Sequence, residues 1–157
     1  MKMNKLLAYL FLLLPALTLQ SCLKNQEDVF PESSAAQMKD YLDKTKDVLA
    51  SSEKGWVLDM YPDKTRKYGG FAFVLKFDAD KATVGSELSP TPSNLITSLY
   101  KTTADDGPVL TFDTYNEWMH KLATPSSEQT TALGGDFEFV IDSIGSDLIV
   151  VHGKRNQ

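Results

Sequence analysis

The chain has 157 residues, 42% of them hydrophobic and 24% charged, with 16 Lys and Arg against 21 Asp and Glu for a net charge of −5. That length suits one domain of ordinary size and is short for two well-cored ones. The acidic balance excludes a nucleic-acid partner recruited by bulk charge, a single cysteine excludes a disulfide-stapled mini-domain, and the apolar content excludes a multipass membrane protein.

Lys2 and Lys5 precede an unbroken apolar run from Leu6 to Leu14, followed by Pro15 and a mixed stretch into Leu19, Gln20, Ser21 and Cys22. This is the layout of a secretory signal peptide over residues 1–21. As a helix the apolar run measures about 14 Å at 1.5 Å per residue, well short of the roughly 30 Å of hydrocarbon that a lasting span must cross. Leu19-Gln20-Ser21-Cys22 resembles the lipobox of bacterial lipoproteins, in which cleavage occurs before the cysteine and lipid, palmitate included, is attached there. Gln20 is the one departure, since a small residue is usual at that place. Cysteine is required because a thiolate is the nucleophile that accepts the lipid, and it must sit on a reachable segment. The resemblance implies that Cys22 is lipidated and is the attachment to the membrane, which leaves no cysteine for catalysis, metal binding or a disulfide. Leu23 stands where an aspartate would signal inner-membrane retention, so outer-membrane delivery is expected. Glu27 and Asp28 close behind the lipid resemble the export tag of Bacteroidetes-type surface lipoproteins, which implies cell-surface exposure.

Residues 22–32 are polar with Pro31 near their end and read as a lipidated tether. A single domain over residues 33–157 follows. Ser34 with Gln37 forms a capping box, and Ala35, Met38, Leu42, Thr45 and Leu49 recur at helical spacing, with Tyr41 and Val48 widening the stripe. Lys39, Asp40, Asp43, Lys44, Lys46 and Asp47 make the opposite, solvated face, and Gly55 stands as its left-handed terminator. The period then changes from 3.6 to 2. Trp56, Leu58 and Met60 alternate with polar or outward positions, as do Phe71, Phe73, Leu75 and Phe77, and further strand candidates cover 82–88, 95–103, 109–115, 136–143 and 147–153. Short polar turns join most of them, and a short helix over 116–122 carries Trp118. The fold expected is mainly β (α+β): one N-terminal amphipathic helix, then an antiparallel meander of about seven strands, either an open sheet or a lipocalin-like barrel. The last strand is apolar on both faces, which suits an interior position. It is expected either to close against the first strand or to leave an unpaired apolar edge.

Gly55-Trp56-Val57-Leu58 after the helix, Tyr68-Gly69-Gly70-Phe71, Leu110-Thr111-Phe112-Asp113-Thr114-Tyr115-Asn116 ahead of His120, and Gly135-Asp136-Phe137-Glu138-Phe139 occur in that order. Together they resemble a family of Bacteroidetes-type lipoproteins carrying a domain of unknown function, number 4302 in that series. The resemblance carries over no activity and no catalytic residues. It does imply continuation beyond a segment like His152-Gly153-Lys154-Arg155, so this chain is expected to be a shortened member or a fragment.

No nucleophile elbow, phosphate loop or dinucleotide fingerprint is present. His120 and His152 lack the spacing that puts two metal ligands on one helix face, and no metal or cofactor is expected. A triad of His120 as base, Ser126 or Ser127 as nucleophile and Asp136 as orienter can be drawn, but loop serines beside Pro125 are ordinary turn residues. Asp136 and Glu138 could share one strand face as a carboxylate pair, yet solvated acids have that spacing too. Asp78 and Asp80 read as hairpin-turn residues rather than calcium ligands. The strand aromatics read as core, whereas Tyr68, Tyr115 and Trp118 at strand ends or connections, with His120, could line a ligand mouth. The function expected is therefore non-enzymatic: a surface-tethered binding or scaffold domain for a glycan or a protein outside the cell. The alternatives are a lipocalin-like carrier of an apolar small molecule and an extracellular hydrolase.

Overall fold

A computed structural model describes residues 32–127 and 131–156. The signal peptide, Cys22 and the tether up to Pro31 lie outside the described residues. Helix α1 (Ser34–Ser51) buries Thr45 and Leu49 and half-buries Tyr41, Leu42 and Val48, while Ala35 is exposed. Thr45 satisfies its hydroxyl within the helix by donating to the Tyr41 carbonyl at 2.8 Å. The charged face holds one i,i+4 pair, Lys39 with Asp43. The helix stops at Ser51, four residues before Gly55, so Gly55 serves the entry to the first strand rather than the helix end. At φ +80° it is in the left-handed region, and a Cβ there would lie 2.5 Å from the Leu75 carbonyl oxygen, which only glycine permits. Carbonyls at and beyond the helix end are taken by side chains from the sheet. Trp56 Nε1–H donates to Leu49 O at 2.9 Å, and Lys76 Nζ donates to Ser52 O and Glu53 O at 2.5 and 2.7 Å.

The strands are β1 (Trp56–Met60), β2 (Phe71–Phe77), β3 (Lys81–Ser86), β4 (Ile96–Leu99), β5 (Lys101–Ala104), β6 (Pro108–Thr111), β7 (Glu138–Ile144) and β8 (Ile149–Gly153), with the one-turn helix α2 (Glu117–His120) between β6 and β7. They form two four-stranded antiparallel sheets in the orders β1-β2-β3-β4 and β5-β6-β7-β8. The meander expected from the alternating pattern is present. There are eight strands rather than about seven because the stretch read as one strand is divided at Tyr100. Its backbone N–H donates to Asp80 O at 3.0 Å, and its hydroxyl donates to Asp78 O at 3.0 Å, so Tyr100 is held by the β2–β3 turn. Burial first, with the Asp78 and Asp80 charges adding, pushes the phenol up to about 12, so it stays a donor through the physiological range.

Inward aromatics join the sheets. Tyr100 meets Phe77 edge-on at 4.8 Å, Phe77 lies 6.3 Å from Phe112, and Phe112 meets Phe139 edge-on at 6.4 Å. Phe73 and Phe112 are completely buried.

The lipocalin-like barrel is not formed. Among the described residues β1 pairs only with β2 and β8 only with β7, so both remain sheet edges, as do β4 and β5. Leu49 of α1 stands with Trp56 and Leu58 of β1 and Ile149 and Val151 of β8 around one cavity, so helix packing fills part of the interior that edge pairing would otherwise enclose. Of the two outcomes for the last strand, the unpaired edge is the one observed. Its outward Val150 is 42% exposed, and Leu148 in the preceding turn is 69% exposed. A β-bulge between Ile141 and Ser143 sets Asp142 out of register, and its carboxylate meets His152 Nδ1 at 2.9 Å.

Candidate functional site

The segment after β6 is organised by Asn116, which is fully buried. Its Oδ1 accepts the N–H groups of Trp118 and Met119 at 3.2 and 3.4 Å, capping α2, while its Nδ2 donates to Ile96 O and Ser98 Oγ, both at 3.1 Å. Asparagine ahead of Glu117 is an ordinary helix-start signal, but the partners on β4 are not readable from it. This cap turns Trp118 inward: it is 2% exposed, and its Nε1–H donates to Asn94 O at 3.0 Å. Trp118 therefore offers no surface to a ligand, contrary to its reading as a residue of the mouth.

The same turn puts His120 beneath Tyr115. Their ring centroids are 5.0 Å apart, and His120 in turn stacks on Phe137 at 4.3 Å with an 18° interplanar angle. The guanidinium of Arg155 lies 4.9 Å from the centre of the Phe137 ring and is 3.0 Å from Glu138 Oε2. The result is a row of successive contacts, Tyr115 to His120 to Phe137 to Arg155, with Tyr115 and Arg155 exposed and the histidine buried. Tyr68 stands in the β1–β2 connection with the Lys67 ammonium 4.7 Å over its ring. Of the four expected residues, only Tyr115 and His120 are in ring contact.

Asp136 is the residue whose role was least visible in the sequence. Its Oδ1 accepts from Phe137 N and Glu138 N at 2.9 and 3.1 Å, and its Oδ2 accepts from Arg155 N and Asn156 N at 2.6 and 3.4 Å. This buried carboxylate ties the chain after β8 to the chain before β7 and so delivers Arg155 to the stack. It is committed to main-chain donors rather than to an imidazole. It also precedes β7, so Asp136 and Glu138 do not form a carboxylate pair within that strand.

His120 Nδ1 lies 2.9 Å from Asn116 O and 3.3 Å from Asn116 N, so the main chain of Asn116 offers it an acceptor or a donor according to its tautomer. Burial lowers its pKa, opposed by the Asn116 carbonyl. A histidine that is harder to protonate when folded contributes its full stability above about pH 6.5, the unfolded value, and loses it as pH falls through that value toward the lower folded one. The wild type should therefore lose more stability between pH 7.5 and 5 than His120→Phe, which keeps a ring in the stack. Equal losses in denaturant titrations at the two pH values would reject this. Among the described residues no cluster of three or more His, Cys, Asp or Glu side chains could hold a metal ion, and no helix is long and apolar enough to cross a membrane.

Two antiparallel sheets continuous in order, an inserted helix and an aromatic stack built on main-chain ties define a mainly β domain with a preformed exposed ring. The family model for a domain of unknown function (DUF4302) matches residues 26–157, and the chain belongs to that family. No curated protein and no solved structure matches it.

Proposed function

We propose that the protein is a non-enzymatic binding domain, attached to the outer membrane through lipid on Cys22 and facing the cell exterior, where Tyr115 contacts a glycan. The observation that carries this reading is the 69% exposure of Tyr115 on a ring row fixed from behind. An aromatic face held in place before the ligand arrives spares the ordering cost of binding, and sugar C–H faces stack on such rings. Arg155 and Glu138 at the other end of the row add hydrogen-bonding groups on the same element cluster. Among the described residues His120 is recorded against no carboxylate and Asp136 bonds main-chain N–H groups, which supports binding over hydrolysis.

The carrier reading has in its favour an apolar cavity lined by inward strand residues. That cavity measures about 70 Å³, against the roughly 300 Å³ at the small end of ligand pockets, and so favours the first reading.

The test is a pair of measurements on cells and on purified protein. Cys22→Ala should move the protein from the membrane to the soluble fraction, and a mature N-terminus without lipid by mass spectrometry would overturn the anchor. On a glycan array, Tyr115→Ala should abolish the wild-type signal with an unchanged melting temperature. An array on which wild type and variant are alike would overturn the glycan reading.

A further inference from the structure

The connection between β1 and β2, Tyr61 to Gly70, gathers positive charge on a chain whose net charge is −5: it holds Lys64, Arg66 and Lys67 against the single acid Asp63. All three cations are exposed. Two successive turns fold the connection, closed by Arg66 N to Asp63 O at 2.7 Å and Gly69 N to Arg66 O at 3.0 Å, so the three sit on one compact loop. The Asp63 carboxylate organises the first turn. Its Oδ1 accepts the Thr65 N–H at 2.9 Å and the Thr65 hydroxyl, and its Oδ2 lies 3.5 Å from Lys67 Nζ. Arg66 is at φ +56°, in the left-handed region that a residue with a Cβ seldom takes, and the turns on either side hold it there. Its guanidinium lies 4.9 Å from the centre of the Tyr61 ring, and Tyr61 in turn packs on Gly70, where an added Cβ would stand 2.8 Å from Cε1. A guanidinium engaged by a ring keeps N–H donors for an acceptor, and among the described residues no acidic side chain pairs with Arg66 or Lys64. The loop adjoins the Arg155 end of the ring row: Tyr61 and Lys64 line a cavity of about 220 Å³ together with Asn156, the residue after Arg155.

We infer that the glycan this protein binds is acidic, and that Lys64, Arg66 and Lys67 receive its carboxylate or sulfate groups. The inference rests on the glycan reading for the choice of a saccharide and adds the charge of that saccharide. An exposed ion pair contributes little singly, so a lone small anion would be held weakly, whereas a polymer with an acid on successive sugars engages several cations at once. Cations placed in advance by turns and rings spare part of the ordering cost of that contact. A lipid surface is the poorer occupant, because the exposed side chains of the loop include no leucine, isoleucine, phenylalanine or tryptophan to insert.

The full chain is titrated over immobilised polygalacturonate, dextran sulfate and unsulfated dextran at about 50 and about 200 mM salt. The expected result is saturable binding to at least one acidic polymer, at least tenfold tighter than to dextran and about tenfold weaker at the higher salt. The triple variant Lys64→Gln, Arg66→Gln, Lys67→Gln should lose about tenfold or more of that affinity at an unchanged melting temperature. A control with Lys44→Gln, Lys81→Gln and Lys121→Gln removes the same charge from other exposed positions and should bind as the wild type does. Equal affinity for dextran, no loss in the loop variant or an equal loss in the control would overturn the inference. So would tighter binding to single-stranded DNA or to phosphatidylglycerol vesicles than to either acidic polymer. The comparison of polymers and salts uses the unmodified protein, so misfolding of a variant cannot account for a negative result there. Tyr115→Ala on the same surfaces keeps the two readings apart. If it leaves intact the binding that the loop variant loses, the Tyr115 contact alone is rejected; if it loses the binding that the loop variant keeps, the loop alone is rejected.

Discussion

Replacing Phe73 with alanine should cost about 3 to 5 kcal/mol, a large share of the stability of a domain this size. Phe73 is fully buried at the centre of β2, opposite Leu58 on β1 and Ser86 on β3, so the ring cannot be replaced by water or by a shift of a free edge. Three residues along, Lys76 on the outer face tests the face assignment. Its ammonium holds two carbonyls beyond the end of α1, so Lys76→Ala should cost about 1 kcal/mol or less, more than an idle surface lysine and far less than the ring. Urea denaturation of both variants reads the difference. Similar losses would mean that β2 does not bury its odd positions.

Asn116→Ala should cost as much, about 3 to 5 kcal/mol, through polar groups rather than volume. The change removes the cap of α2 and leaves Ile96 O and Ser98 Oγ short of a donor in a buried place, each loss costing about 1 to 3 kcal/mol. Asn116→Asp separates the two halves of this role. It keeps the acceptor for the helix N–H groups but turns an anion toward a carbonyl, so its folded pKa is raised and its destabilisation should shrink as pH falls through that value. A cost below about 1 kcal/mol for the alanine variant, or a pH-independent cost for the aspartate, would show that Asn116 does not join α2 to β4.

These two residues also mark how far the sequence could be read. Phe71, Phe73, Leu75 and Phe77 declare β2 with its observed bounds, because a strand buried on one face writes its geometry into every second residue. Tyr100 belongs to the same alternating run as its neighbours, so nothing local announces that the chain leaves one sheet there. The cause is a pair of hydrogen bonds to Asp78 and Asp80, some twenty residues away. The exposed ring of Tyr115 was legible as a strand-end aromatic. Its backing by His120, Phe137 and Arg155 was not, since it depends on Asp136 reaching Arg155 and Asn156 across the intervening β7–β8 hairpin. Trp118 misled for a related reason: its burial follows from the direction of a one-turn helix, too short to show a period.

The unpaired first and last strands also bear on how the chain reaches its fold. In a closed barrel the final step joins residues near 58 to residues near 151, the longest loop the chain could close. Here every strand pairing instead joins two strands consecutive in the chain. Contact order is correspondingly lower than in a closed barrel of the same strands, and loop-closure entropy is met in smaller instalments. Sheet one can zip from β1 onward while later residues are still being synthesised, with α1 already available to dock. The second sheet then grows outward from the corner at Tyr100, and a slow terminal closing phase should be missing from its refolding kinetics.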